Sequence, residues 1–239
     1  MNSKDKRGSL FLIPSSIEQE NRKEFLIENE KKEIRHIKNF IVENGKVARA
    51  TLKSLNLKST IQDIILTQHS KKNTLGNIDQ YFLPILNGED IGLLSDSGNP
   101  CVADPGSIIV KRAHELDIEV RPLIGPSSIL LSLIASGFNG QKFRFHGYIP
   151  IKEDERNKFI NDIEKSIKID SETHIFIETP YRNNKLLADL IKKLNDGVKL
   201  CLAINLTSDS EKIITKKIED WRKIEYQDLN KQLCIFLVN

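Results

Sequence analysis

Short apolar runs of strand length alternate with longer amphipathic stretches along almost the whole chain, and that alternation limits the fold more than any other feature. The strand-like runs are "SLFLIP" (9–14), "FIVEN" (40–44), "DIILT" (63–67), "DIGLLS" (90–95), "IEVRPLI" (118–124), "KFRFHGYI" (142–149), "THIFIET" (173–179), "KLCLAIN" (199–205), "KIITKKI" (212–218) and "QLCIFLVN" (232–239). Helical patterns lie between most of them, at 45–55, 75–88, 104–117, 129–137, 153–168 and 182–194. Residues 18–38 are so charged that they read as a surface helix or an irregular excursion. Strands alternating with helices predict a mostly parallel sheet with helices packed on its faces. Length, 239 residues, predicts two such α/β domains, 1–123 and 124–239, because cores split into units of roughly 100 to 150 residues.

Several function classes are disfavoured at once. No apolar run reaches the roughly 18 residues needed to cross a bilayer, and the first residues have too short an apolar core for a secretory signal. The reading is a cytoplasmic protein with no membrane partner. Cys101, Cys201 and Cys234 are isolated from one another, and the five histidines are scattered without metal-ligand spacing, so neither a disulfide framework nor a structural metal is expected. There is no GxxxxGK[ST] loop, no GxGxxG after a strand and no GxSxG elbow, which disfavours nucleoside triphosphates, dinucleotides and serine hydrolysis.

Eight of the twelve glycines fall between residues 88 and 147, so specialised turns concentrate mid-chain. The segment "GLLSDSGNPCVADPG" (92–106) leaves a strand through a loop rich in Asp, Gly, Asn and Pro, longer than the usual two to six residues. Open α/β sheets bind ligands outside the carboxyl ends of their strands. Three small-residue loops fall at such ends: "PSS" at 14–16, "DSGNPCVAD" at 96–104 and "GPSS" at 125–128. Asp104 and Pro105 also suit the N-cap and first turn of the helix that follows, and Gly137 suits a left-handed helix cap. Residues 45–58 carry Lys46, Arg49, Lys53 and Lys58 without an acid. Lys46, Arg49 and Lys53, at i, i+3 and i+7, share one side of a helix, with Val47, Ala50 and Leu52 free to meet the sheet. That face suits RNA phosphates, and equally a solvated surface.

Taken in order, "SLFLIP", "GLLSDSGNPCVADPG", "VRPLIGPSSILLSLIASG", "FRFHGYIP", "FIETPYR" and "LCLAINLT" resemble the tetrapyrrole methylase superfamily. Within it they are most similar to the branch of ribosomal small-subunit RNA methyltransferases, over about residues 8–239. The resemblance implies S-adenosylmethionine folded into a cleft between two α/β domains, in a homodimer. It implies cofactor contacts from Pro14, from Ser95, Asp96, Ser97, Gly98, Ala103 and Asp104 of the mid-chain loop, from Ser127 and Ser128, and from Glu178 and Leu206. The partner implied is ribosomal RNA, methylated on a ribose 2′-hydroxyl, with Lys46, Arg49, Lys53, Tyr181 and Arg182 as substrate contacts. Asp96 is the candidate base, although a turn-forming Asp bonded to its own backbone explains it as well. His146 reads as packed, and Cys101 as a small filler.

Departures from the family pattern keep other readings open. The first loop is "PSSIEQE" where the family has T-P-I-G-N-L, "ENGK" stands for E-D-T-R, and "AINLT" for A-R-E-L-T. The sequence ends at Asn239 without the branch's small helical extension, as a short form does. A methyltransferase acting on a tetrapyrrole or another small molecule, and a non-catalytic cofactor-binding protein, are the alternatives.

Overall fold

The computed structural model describes residues 7–18, 25–55, 61–69 and 78–239. It divides into two compact units, Met1–Ser127 and Ser128–Asn239.

In the first unit five strands form one sheet: β1 (Leu10–Ile13), β2 (Asn39–Val42), β3 (Ile65–Gln68), β4 (Ile91–Leu94) and β5 (Val120–Pro122). Their order is β3-β2-β4-β1-β5, and every pairing is parallel. Parallel strands need crossovers on the sheet faces, so both faces are covered and the central strands are apolar throughout. One face packs Leu10, Ile41 and Leu93 against Phe82, Ile109 and Ala113; the other packs Phe11, Phe40 and Leu94 against Ile34, Ala48 and Leu52. Gly92 stands in register with Phe11 on one neighbour and Phe40 on the other. A Cβ there would lie 2.5 Å from the Phe40 ring, so the two phenylalanines can flank β4 only because this residue has no side chain.

The helices of this unit are α1 (Glu28–Ile34), α2 (Gly45–Ser54), α3 (Leu83–Leu86) and α4 (Ser107–Glu115). The charged excursion therefore holds one short helix, α1, which buries Glu30, Lys31 and Ile34. The helix expected over 75–88 is interrupted. A 3₁₀ turn, Asp79–Phe82, precedes the single turn of α3, because Pro84 fits only the opening of a helix; residues 75–77 lie outside the described residues. Asp104 does not cap α4 in the expected way. The helix starts at Ser107 with Gly106 as its N-cap and no side-chain capping bond, because the Asp104 carboxylate is engaged within its own loop.

The second unit does not continue the parallel pattern of the first. Its strands are β6 (Phe143–Tyr148), β7 (Thr173–Ile177), β8 (Lys199–Ile204), β9 (Lys212–Lys217) and β10 (Cys234–Val238), in the order β6-β7-β10-β8-β9. Only β6 and β7 pair in parallel; β7–β10, β10–β8 and β8–β9 are antiparallel. No helix separates β8 from β9, and a short connection can join only antiparallel neighbours. Helix α5 (Ser128–Ser136) covers one face with Leu133 against Ile175, Ala203 and Leu237. The other face packs Phe176, Leu202 and Phe236 against α6 (Glu153–Asp170), α7 (Asn183–Lys193) and Trp221 of the short α8 (Ile218–Trp221). Gly137, φ +75°, follows the end of α5 as expected. Strand β6 does not alternate as a half-buried strand would. It is one of the two edges of the sheet, with Phe143 and Arg144 both exposed and an irregular register between Phe145 and Tyr148 around Gly147, φ +67°.

Candidate active site: a backbone cradle at the strand ends

All strands of the first sheet point one way, so their carboxyl ends deliver Pro14, Glu43, His69, Ser95 and Leu123 to one edge. Two of the loops expected to hold a ligand are bound to each other there. Ser15 and Gly98 form an antiparallel bridge, with Ser15 N–H donating to Gly98 O at 2.9 Å and Gly98 N–H to Ser15 O at 3.1 Å. The buried Ser15 hydroxyl donates to Ser95 O at 2.6 Å. The third loop closes on the same place: Asn99 donates its amide to Gly125 O at 3.4 Å. A Cβ on Gly125 would overlap Pro14 at 2.2 Å, so Pro14 and residue 125 meet only through glycine.

The mid-chain loop is held in shape by its own side chains. Ser95 Oγ donates to Ser97 O at 3.0 Å and accepts from Ser97 N–H at 3.3 Å. Asp104 Oδ1 accepts from Cys101 N–H at 2.8 Å and Gly106 N–H at 2.7 Å. Gly98, Cys101 and Ala103 all take positive φ, +70°, +69° and +61°, a region that costs a non-glycine residue about 1–2 kcal/mol. Three such residues within six positions reverse the chain sharply. Ala103 is exposed, and none of the loop's hydrogen bonds uses its N–H. Cys101 fills space beneath the loop, where burial and the Asp104 charge push its thiol up to about 11. It is therefore a protonated filler at neutral pH.

Asp96 joins this cradle to helix α2. Its carboxylate accepts from Asn44 N–H at 3.2 Å, its own N–H donates to Glu43 at 3.4 Å, and Asn44 Oδ1 in turn caps α2 by accepting from Lys46 N–H at 2.9 Å. Burial raises the Asp96 carboxyl above its ordinary value, the Asn44 hydrogen bond opposes this, and the Asp104 charge adds to the rise. On α2, Lys46, Arg49 and Lys53 are all exposed. The face turned to the core is Ala48, Thr51 and Leu52; Ala50 is exposed and Val47 half-buried, one position away from the face expected. Lys58 lies outside the described residues.

Three residues of this edge, Glu43, Asn44 and His69, are not among the expected site residues, although Glu43 and Asn44 open the "ENGK" set against the family's E-D-T-R. His69 is 3% exposed, at the end of β3, with its ring hydrogen-bonded to the Pro105 backbone and edge-on to Tyr81. Burial lowers its pKa, against the Pro105 bond and the Asp104 charge, so the ring is a neutral strut behind the Asp104 corner. Its place just after "DIILT", at a strand end, is the only signal pointing to it.

In the second unit, β6, β7 and β8 run in one direction, opposite to β10 and β9, so Pro150, Glu178 and Leu206 follow strand ends on one edge of that sheet. Glu178 is nearly buried and turned into its own turn. Its Oε1 accepts from Thr179 N–H at 2.6 Å and from Arg182 at 2.5 Å. The Arg182 guanidinium is thus already engaged with a carboxylate, whereas Tyr181 is 76% exposed. Leu206 is buried between two left-handed residues, Asn205 at φ +48° and Thr207 at φ +72°. Ser127 ends the first unit and Ser128 begins α5 in the second.

Among the described residues no group of three His, Cys, Asp or Glu is placed to hold a metal, and no helix is long and apolar enough to cross a membrane. The family model for tetrapyrrole (corrin/porphyrin) methylases matches residues 77–221, from before β4 through α8. The chain belongs to the tetrapyrrole methylase family. It is a methyltransferase by that membership, and a methylase requires a methyl donor. The loop leaves a main-chain donor for one: Ala103 is exposed, and no hydrogen bond among the described residues uses its N–H.

This methylase is 27% identical over 242 residues to a protein of Buchnera aphidicola subsp. Schizaphis graminum named ribosomal RNA small subunit methyltransferase I, covering 100% of this chain and 81% of that protein. A protein of the same name from Micromonospora olivasterospora is 37% identical over 133 residues, 56% of this chain and 41% of that one. The solved structure of the methyltransferase CobJ superposes with a TM-score of 0.63 at 14% identity, over 97% of this chain and 94% of that one. The likeness to CobJ concerns the fold alone.

Proposed function

We propose that this methylase transfers a methyl group from S-adenosylmethionine to a ribose 2′-hydroxyl of small-subunit ribosomal RNA, as a cytoplasmic homodimer. The observation that carries the reading is the match, along the full length of the chain, to a relative named for that RNA. The exposed basic side of α2 supports it, because phosphate contacts supply most of the affinity of proteins for nucleic acid. In this reading Pro14, Ser95 to Gly98, Ala103, Asp104, Ser127, Ser128, Glu178 and Leu206 contact the methyl donor. Lys46, Arg49, Lys53 and Tyr181 meet the RNA, and Arg182 acts through Glu178.

When bound, the donor supplies an electrophilic methyl group for in-line displacement, so positioning provides much of the acceleration. The chain's part is to hold the hydroxyl in line and to take its proton. Asp96 takes that proton, and its burial, by raising its basicity, serves the role.

The test has two steps. Calorimetry with S-adenosylmethionine and its demethylated product measures donor binding, and labelled methyl transfer to small-subunit ribosomal RNA, mapped by mass, measures the reaction. Binding without transfer to RNA, but with transfer to a tetrapyrrole, replaces the acceptor and leaves the family reading intact.

A further inference from the structure

The second unit carries a cavity of about 320 Å³ that the site above does not use. Its floor is Leu202 and Ile204 of β8, Ile214 of β9, and Trp221 with Leu229. Trp221 is fixed there, 1% exposed, with its indole N–H donating to Leu200 O at 3.0 Å. The lip is a stretch without regular structure in which Ile224 and Tyr226 are both more than one-third exposed. The Tyr226 ring stands edge-on to Trp221 at 6.5 Å between centroids.

Charge on this lip is placed by strand geometry. Residues two apart on a strand share a face, so Lys212, Ile214 and Lys216 of the edge strand β9 all turn to the cavity, while Ile213 and Thr215 turn to the α5 side, where Thr215 donates to Ser136 O. Nearby cations outside the cavity are paired with carboxylates: Lys217 with Glu219, Arg222 with Asp196 and Lys223 with Asp220. Lys212 instead donates to the neutral Gln227 at 3.0 Å, and no ion pair to Lys216 is formed among the described residues. Glu225 is the one acid of the lining. An apolar slot with an aromatic lip and two unneutralised ammonium groups matches a planar ring carrying an anion. Stacking on aromatic side chains together with lysines on the backbone is how single strands are held.

We propose that this cavity receives an unpaired nucleobase of the RNA substrate, with Tyr226 against the base and Lys212 and Lys216 on the adjoining phosphates. This rests on the RNA reading of the function. Affinity of the whole chain for a single-stranded ribo-oligonucleotide, measured by anisotropy across a salt series, tests it. Tyr226→Ala should weaken binding by about 5- to 100-fold without altering the salt slope, and Tyr226→Phe should restore it. Lys212→Ala and Lys216→Ala should each flatten the log–log salt slope by about 0.7. An oligonucleotide carrying 5-iodouridine should photo-cross-link to Tyr226. Variants that bind like the wild type, with cross-links elsewhere, overturn the cavity while leaving RNA methylation standing. A free nucleoside monophosphate competing as well as the oligonucleotide shows a small-molecule site and also overturns it. If the wild type neither binds nor methylates RNA, both readings fall together.

Discussion

The two units solve the same problem of covering a five-stranded sheet on both faces, but they leave different things at their edges. In the first, five parallel strands put every carboxyl end on one side, and the loops that leave them lock together there: Ser15 to Gly98 through main chain, and the Asn99 side-chain amide to Gly125 O. In the second, antiparallel pairing divides the strand ends between both edges. The turns at the ends of β7 and β8 are held by side chains, Glu178 on Thr179 and Arg182, and Asn205 on Leu233. A parallel sheet gathers its loops at one edge, where they can join; a mixed sheet divides them.

The substitution that tests this contrast most severely is Gly98→Val. A valine at φ +70° is strained, and its Cβ would stand 3.3 Å from Pro126 O, so methyl-donor binding should fall below detection by calorimetry. Stability should drop by about 1–2 kcal/mol, with far-ultraviolet dichroism retained. Normal binding by this variant would mean that the cradle is not where the donor sits.

Reversing Lys46, Arg49 and Lys53 to glutamate should weaken RNA binding about 10- to 1000-fold, and flatten its salt dependence by about one unit of log–log slope for each phosphate that is no longer neutralised. Donor affinity should not change, because none of the three side chains is hydrogen-bonded to residues 95–104, even though Asn44 ties their helix to Asp96. RNA binding unchanged by the reversal would reduce this face to a solvated helix surface.

A smaller effect is expected from Asp104→Ala, which strands the Cys101 and Gly106 N–H groups. Leaving buried donors unmet costs about 1–3 kcal/mol, and donor affinity should fall about tenfold. Asp104→Asn, which keeps the accepting oxygen, should fall less. Equal losses in the two variants would make the Asp104 charge, rather than its geometry, the feature that matters.

The mildest prediction separates the units by pH. On β6 and β7, His146 Nε2 and His174 Nδ1 lie 2.8 Å apart with stacked rings. Burial, with the neighbouring His174 and Arg144, lowers His146 to about 4, and burial also lowers His174. Unfolded histidine titrates near 6.5, so between those values the unfolded chain takes up protons that the folded chain refuses. The stability is fully present above pH 6.5 and is lost as pH falls towards 4. Hydrogen exchange should show β6 and β7 losing protection first on acidification, ahead of the first sheet, which holds one such group in His69. His146→Phe should flatten the difference. Equal loss in both sheets would break the contrast.

Much of the first unit is legible in the sequence because period and punctuation agree there: each strand is a short apolar run and each loop announces itself by Gly, Pro or Asp. The mid-chain loop announces itself as a specialised turn for the same reason, and it takes positive φ at Gly98, Cys101 and Ala103. What period cannot carry is direction. "KLCLAIN" and "KIITKKI" read as strands whichever way they pair, and only the six residues between them, too few for a crossover, point to an antiparallel pair. Asp104 misleads because an Asp before Pro is a good helix cap, and nothing local reveals that two N–H groups of the same loop compete for its oxygen. His69 is hidden for a different reason: its role depends on a neighbour distant in sequence, Pro105.

The Ser15–Gly98 bridge has a consequence for the order of assembly. It joins positions 83 apart in the chain, and closing so long a loop gains little until the sheet beneath it exists. The bridge is therefore expected to close after β4 has docked beside β1, which pulse-labelled hydrogen exchange of the Ser15 and Gly98 amides would check. In the proposed function a methyl donor meets these loops only once they are built, and stabilises the folded chain by mass action.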